Sequence, residues 1–319
     1  MPIRTAHHWA LNLVPQAGIS HIAGSSFLHG IKSVLLGLNR RIAGLRARST
    51  TAAHHALHYL DGGQGEPVLL LHGLFAEKDH WVDLARRLTP HHRVVVPDLP
   101  GFGASDRLDD AHYGYAEQVE RLRAFMDSIG LQRAHVAGSS MGGALGAMLA
   151  REYPNRVASL AFIGAPHGLR SPKPSETDLL IDGGHAPLVA RNSEEFDALF
   201  ERLFHRPPRL PWPLRRTARE EAIRLASSNL RLWAHHVADR YLLEQHIAHL
   251  CHPMLVLWGR RDRIFHVSGV RNLRWRCPHA EVQVLERVGH LPMMEAPDAV
   301  AERYRNFLLQ HRWMKPRTP

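Results

Sequence analysis

The sequence predicts an α/β fold: a mostly parallel, doubly wound sheet with helices on both faces and an inserted helical cap. Three observations carry this reading. Short apolar runs alternate with helical periods from Pro67 to about Gly164. Residues 166–248 break the alternation, mixing Pro172, Pro174, Pro207, Pro208, Pro211 and Pro213 with helical periods. The alternation then resumes at Pro253 and closes on a helical stretch near 297–311. Strands separated by helices imply parallel pairing through crossovers.

The elements follow in order. Residues 1–53 read as a basic extension. No acidic residue precedes Asp61, while Arg4, Lys32, Arg40, Arg41, Arg46 and Arg48 do. Phe27, Ile31, Val34, Leu35, Leu38, Ile42 and Leu45 recur at helical spacing, the pattern of an amphipathic helix able to lie on an anionic membrane surface or to pack on the body. The run is broken by His29, Lys32 and Asn39, so it is too short to span a bilayer. Residues 1–30 lack the continuous apolar stretch of a signal peptide. His54–Asp61 reads as an early strand, with a turn at Gly62-Gly63-Gln64-Gly65. The core is expected over 54–165 and 249–314, the cap over 166–248, and a disordered tail from Lys315.

The chemistry is carried by Gly138-Ser139-Ser140-Met141-Gly142, a G-x-S-x-G pattern. It lies between a strand reading (Ala134–Ala137) and a helix reading from Met141 to Tyr153 that stops before Pro154. In that setting the serine is pushed outward as a nucleophile. Serine needs a base to take its proton, and histidine titrates near neutrality and can return it. A carboxylate must hold the imidazole in the right tautomer. Asp262 follows the apolar run Met254–Gly259, and His290 follows the alternating run Glu281–Leu285. Serine, acid and histidine thus come in the expected order, each at a strand end. The apolar run Pro67–Leu71 ends in His72-Gly73, which nominates the Leu74 N–H, with Phe75 second, as partner to Met141 N–H in an oxyanion hole. His72 itself reads as structural. Pro100-Gly101-Phe102-Gly103 reads as a turn beside the pocket, not a dinucleotide fingerprint.

These segments together resemble the α/β-hydrolase family: LLLHGLFAEKDHW (69–81), VVVPDLPGFGASD (94–106), VAGSSMGG (136–143), LVLWGRRDRIFHVSG (255–269) and VLERVGHLPMMEAP (284–297). The resemblance covers roughly residues 54–311 and is nearest to the monoacylglycerol-lipase and esterase branch. It implies a carboxylester hydrolase with no cofactor and no metal, acting on medium or long acyl chains through Ser140, Asp262 and His290. Phe75, Phe265 and Met293 flank these motifs and are expected to touch substrate. Many relatives have Pro four residues after the acid; this chain has His266. Haloalkane dehalogenases and epoxide hydrolases carry Asp at the nucleophile, so Ser140 speaks against both. A carbon–carbon bond hydrolase shares the triad and is the alternative enzyme, and a non-catalytic binding protein is the alternative of another class. In the cap, Leu188, Phe196, Leu199, Phe200 and Phe204, with Leu179 and Leu180, are candidate walls for an apolar substrate.

Composition agrees. The chain has 319 residues, 45% hydrophobic, enough for one α/β domain with additions. Two cysteines, Cys251 and Cys277, suggest a reducing compartment, and the expectation is a cytoplasmic protein with peripheral membrane contact through its first segment. A net charge of +10 invites polyanions, yet the arginines are scattered and no nucleic-acid-binding signature is present. His246, His249, Cys251 and His252 cluster in sequence, but at no zinc-ligand spacing. Oligomeric state is not legible.

Overall fold

The structure, a computed structural model, describes residues 22–109 and 111–313. The expected disordered tail, and the start of the extension, lie outside these residues. The strands are β1 (Leu45–Ala52), β2 (His55–Gly62), β3 (Pro67–Leu71), β4 (Arg93–Pro97), β5 (Ala134–Ser140), β6 (Val157–Pro166), β7 (Met254–Gly259) and β8 (Glu281–Leu285). They form one sheet in the order β1-β2-β4-β3-β5-β6-β7-β8. Pairing is parallel from β4 to β8 and antiparallel at β1–β2 and β2–β4. The expected α/β architecture is therefore present.

Side-chain alternation along the strands divides the interior in two. Leu69, Leu71 and Val136 face one core, shared with α3 (Tyr115–Ser128), α4 (Met141–Glu152) and α9 (Gly269–Arg276). Val68, Leu70 and Ala137 face the other, shared with α2 (Val82–Leu88) and α11 (Pro297–Gln310). Both faces are covered, which is why the central strands read as continuous apolar runs.

Two features differ from the sequence reading. The first helix, α1 (Ile22–Ile42), ends before Leu45. Gly44, at φ +71°, takes the left-handed conformation that stops helices, and its N–H donates to the Arg41 carbonyl. Residues 45–52, expected in the extension, instead form the edge strand β1, joined to β2 by a tight turn at Ala53 and His54. Both turn residues have positive φ, +47° and +63°, the geometry a two-residue hairpin needs.

The segment expected as a cap, 166–248, carries α5 (Glu176–Asp182), α6 (Ser193–Leu203), α7 (Trp212–Arg224) and α8 (Ala226–Ala238). Ser175 and Asp178 form a capping box on α5, and the Asn192 side chain accepts the Glu195 N–H on α6. A short helix, α10 (Pro292–Glu295), follows the β8 loop.

Candidate active site

Ser140 is the last residue of β5 and precedes the first turn of α4. Its φ is +53°, a strained value for a residue with a side chain. The flanking glycines are sterically required. A Cβ at Gly138 would lie 2.2 Å from the Gly142 carbonyl oxygen, and one at Gly142 would lie 2.2 Å from that of Leu71. Strand and helix thus approach closely only because both positions lack a side chain.

Asp262 follows β7 and is almost wholly buried. Its Oδ1 accepts the N–H groups of Ile264 (2.8 Å) and Phe265 (2.9 Å). Its Oδ2 lies 2.9 Å from His290 Nδ1. Two of the three neighbouring arginines are occupied elsewhere: Arg260 with Glu286 and Arg263 with Glu176. With Nδ1 donating to the carboxylate, Nε2 of His290 is left as the basic nitrogen. Ser140 and His290 line the same cavity, of about 80 Å³, together with Leu74, Phe75, Ile264 and Met293. Three groups widely separated in the chain are brought to one end of the sheet.

Two backbone N–H groups stand as candidate oxyanion donors. Met141 opens α4, so its N–H is among those that no helical carbonyl accepts. The Leu74 N–H meets no acceptor among the described residues. Phe75 is itself held at φ +56°. His72 is structural. Its Nδ1 donates to the Gly73 carbonyl (2.8 Å), while Nε2 accepts the Leu99 N–H (3.0 Å). Burial lowers its pKa and keeps it neutral.

The cavity continues into a chamber of about 200 Å³ under the cap. Leu188, Phe196, Leu199, Phe200 and Phe204 line it, as the sequence suggests. Leu179 instead faces outward, 60% exposed, and Leu180 lines neither space. Phe75 and Met293 reach the cavity, but Phe265 does not line it. Its ring lies 5.4 Å from that of His290 and 5.7 Å from that of His167, so it packs the base rather than the opening.

Sequence reasoning missed several groups. Glu295 Oε1 accepts the Gly289 N–H (2.8 Å), and Oε2 accepts those of His205 (3.1 Å) and Arg206 (2.8 Å). It ties the His290 loop to the cap, and burial raises its pKa. His80 also lines the cavity, with its pKa pushed down to about 4 by burial. Among the described residues no group of three or more His, Cys, Asp or Glu side chains is arranged to hold a metal. His246 Nδ1 meets Arg151, and His252 Nε2 lies 3.1 Å from the Pro154 carbonyl.

Residues 66–297 match the family described as alpha/beta hydrolase fold. The chain belongs to that family. Lipase 1 of Psychrobacter immobilis is 33% identical over 267 residues, covering 81% of this chain and 82% of that one. A monoacylglycerol lipase of Xenopus laevis is 27% identical over 283 residues, covering 84% of each. A solved membrane phospholipase A, described as a bacterial virulence factor, is 35% identical. It superposes with a TM-score of 0.86 over 91% of this chain and 96% of that chain. The resemblance to lipases and monoacylglycerol lipases is thus borne out.

Proposed function

We propose that the protein is a carboxylester hydrolase of the lipase type that works through an acyl-enzyme. The observation that carries this is the strained turn presenting Ser140 to the cavity that also holds His290, itself bonded to Asp262. Ser140 Oγ attacks the ester carbonyl as His290 Nε2 takes its proton. Asp262 orients the imidazole and stabilises its charged form. The Leu74 and Met141 N–H groups receive the oxyanion, and one such donor contributes roughly 100- to 1000-fold in rate. His290 returns the proton to the leaving alcohol, and water then repeats the sequence on the acyl-enzyme. The names of the relatives support ester substrates, and the apolar chamber supports an acyl chain.

The same proposal includes peripheral contact with an anionic bilayer through α1. Successive helical residues turn by about 100°, so Phe27, Val34, Leu38 and Ile42 share one face. All four are more than half exposed. On the opposite side Lys32 Nζ pairs with Glu221 (3.1 Å), and Arg40 makes a two-pronged pair with Asp79 (2.7 and 2.5 Å). The helix is clamped to the body by charge and turns its apolar stripe outward, as an interfacial helix does. No helix among the described residues is long and apolar enough to cross a membrane.

The test is a panel of p-nitrophenyl esters from two to sixteen carbons. The proposal expects turnover that rises with chain length before the chamber is filled. Absence of turnover across the panel, with hydrolysis of a coloured dienoate instead, would replace it with carbon–carbon bond cleavage.

A further inference from the structure

Arg107 stands on the wall between two spaces. One is the chamber under the cap; the other is an outer cleft of about 360 Å³ between the 107–113 segment and α8. Its Nε donates to the Gly101 carbonyl (2.6 Å). Its Nη1 donates to Ser228 Oγ (3.1 Å) and Asn229 Oδ1 (2.9 Å). Nη2 has no acceptor among the described residues. Arg107 also forms no ion pair among them, unlike its neighbours. Arg231 is paired with Asp109 (2.6 Å), and the chamber's Glu221 is held by Lys32. Burial lowers the Arg107 pKa most; Tyr113 and Glu221 raise it, and Arg231 and Arg224 lower it. A half-buried cation with no ion-pair partner is stabilised when an anion completes it.

Donor capacity is left over at this place. Ser228 Oγ and Asn229 Oδ1 each accept from Arg107. Beside them stand free donors: the Nη2 hydrogens, the Ser228 hydroxyl proton and the Asn229 amide hydrogens. Free donors around an unpaired guanidinium suit an oxyanion, which the Nη2 hydrogens can hold by a charge-assisted hydrogen bond. Phe75, Leu188, Leu199 and Leu203 line both the chamber and the inner cavity, an apolar strip between this group and Ser140, and Lys32, Glu77 and Glu221 also line the chamber.

We infer that Arg107, Ser228 and Asn229 form a binding site for an anionic group, phosphate or carboxylate, carried by the ester substrate at the end remote from the scissile bond. The preferred substrate class is then an anionic amphiphile: an ester, an apolar stretch and a charged terminus. This rests on the reading of Ser140 as the nucleophile of an ester hydrolase.

The experiment uses two matched substrate pairs. The mono-p-nitrophenyl ester of octanedioic acid is compared with p-nitrophenyl octanoate. A 1-acylglycerol 3-phosphate is compared with the 1-acylglycerol of the same chain. The first pair puts the charge on the acyl side, the second on the alcohol side, so the responding pair identifies the source. The readout is the anionic-to-neutral ratio of kcat/KM, which a merely structural role of Arg107 would leave unchanged. Arg107→Gln should lower that ratio about 10- to 100-fold in at least one pair, the loss of one charged hydrogen-bonding partner. Arg107→Lys should recover part of it, and Ser228→Ala should lower it less. A ratio unchanged in Arg107→Gln overturns the inference. If Arg107→Gln does not fold, an unchanged ratio in both Arg107→Lys and Ser228→Ala overturns it. Wild-type turnover of the neutral esters with no charge-dependent loss in the variants sinks the anion site alone. No turnover of any ester by the wild type sinks the hydrolase reading beneath it.

Discussion

The backbone N–H of His290 donates to the carbonyl of Leu203 across 2.8 Å. Leu203 is the last residue of cap helix α6, so the cap holds the loop that carries the candidate base. Glu295 reinforces the join from below, binding Gly289 on one side and His205 and Arg206 on the other. The α6 end and the loop of the candidate base are therefore tied by four hydrogen bonds.

Glu295→Ala should break that join. Three backbone N–H groups lose their acceptor; the one on buried Gly289 is left unsatisfied, at a cost of about 1–3 kcal/mol, while those of His205 and Arg206 are exposed. The expected outcome is a lower urea midpoint and a kcat at least ten-fold lower on short esters. Glu295→Gln keeps one carbonyl oxygen and should fall between. Wild-type stability and rate in Glu295→Ala would show that Leu203 alone positions the loop.

Asp262→Asn keeps the shape of the side chain but places an amide where His290 Nδ1–H needs an acceptor. The expected loss in kcat is roughly 10⁴-fold by analogy with other triads. Near-normal activity in this variant, with an Asp239 substitution damaging instead, would reassign the acid.

Acid should destabilise the fold through its buried imidazoles. Burial pushes the pKa of His135 and His236 down to about 3 and that of His80 and His167 to about 4. Below the ordinary histidine value of 6.5 the unfolded chain takes up protons that these folded side chains refuse. Their stabilisation is therefore full above pH 6.5 and is lost as pH falls toward 4. Glu77, raised to about 7 by burial, works in the opposite direction between pH 4.5 and 7, and Glu295, also raised by burial, works with it. Four imidazoles outweigh two carboxyls. Urea titrations should show a net loss on the order of 2–5 kcal/mol between pH 7 and 5. Equal stability at the two values would contradict the burial of these imidazoles.

The α1 stripe can be tested without disturbing its clamp. Val34→Glu with Leu38→Glu replaces two exposed apolar side chains and touches neither Lys32 nor Arg40. Binding to anionic vesicles should drop, while p-nitrophenyl butyrate turnover stays within two-fold. In the wild type, high salt should release the protein, because each basic residue near an anionic surface contributes about 1 kcal/mol. Unaltered vesicle binding in the double variant would remove α1 from the membrane contact.

The candidate triad was legible because each member ends an apolar run: Ala134–Ala137 before Ser140, Met254–Gly259 before Asp262, Glu281–Leu285 before His290. Local order along the chain is enough to find such groups. Glu295 and Arg107 were not legible as site residues, since the partners that tie each to residues 205–229 lie about ninety or more positions away and no local pattern pairs them. Strand β1 escaped for another reason. Its hairpin turns through Ala53 and His54 at positive φ, where Asn-Gly would have announced it. The helical period from Phe27 then ran on to Leu45, which the structure gives to the sheet. Phe265 adjoins the acid in sequence, but neighbourhood along the chain did not put its ring in the cavity.

The central claim is that Ser140 is an activated nucleophile. Labelling with a fluorophosphonate probe, followed by peptide mass spectrometry, tests it directly. The account predicts one modified site, Ser140, with modification and ester turnover lost together. Ser140→Ala should take no label and lose several orders of magnitude in kcat while unfolding at the wild-type urea midpoint. Label on another serine, or more than a tenth of wild-type turnover in Ser140→Ala, would contradict it.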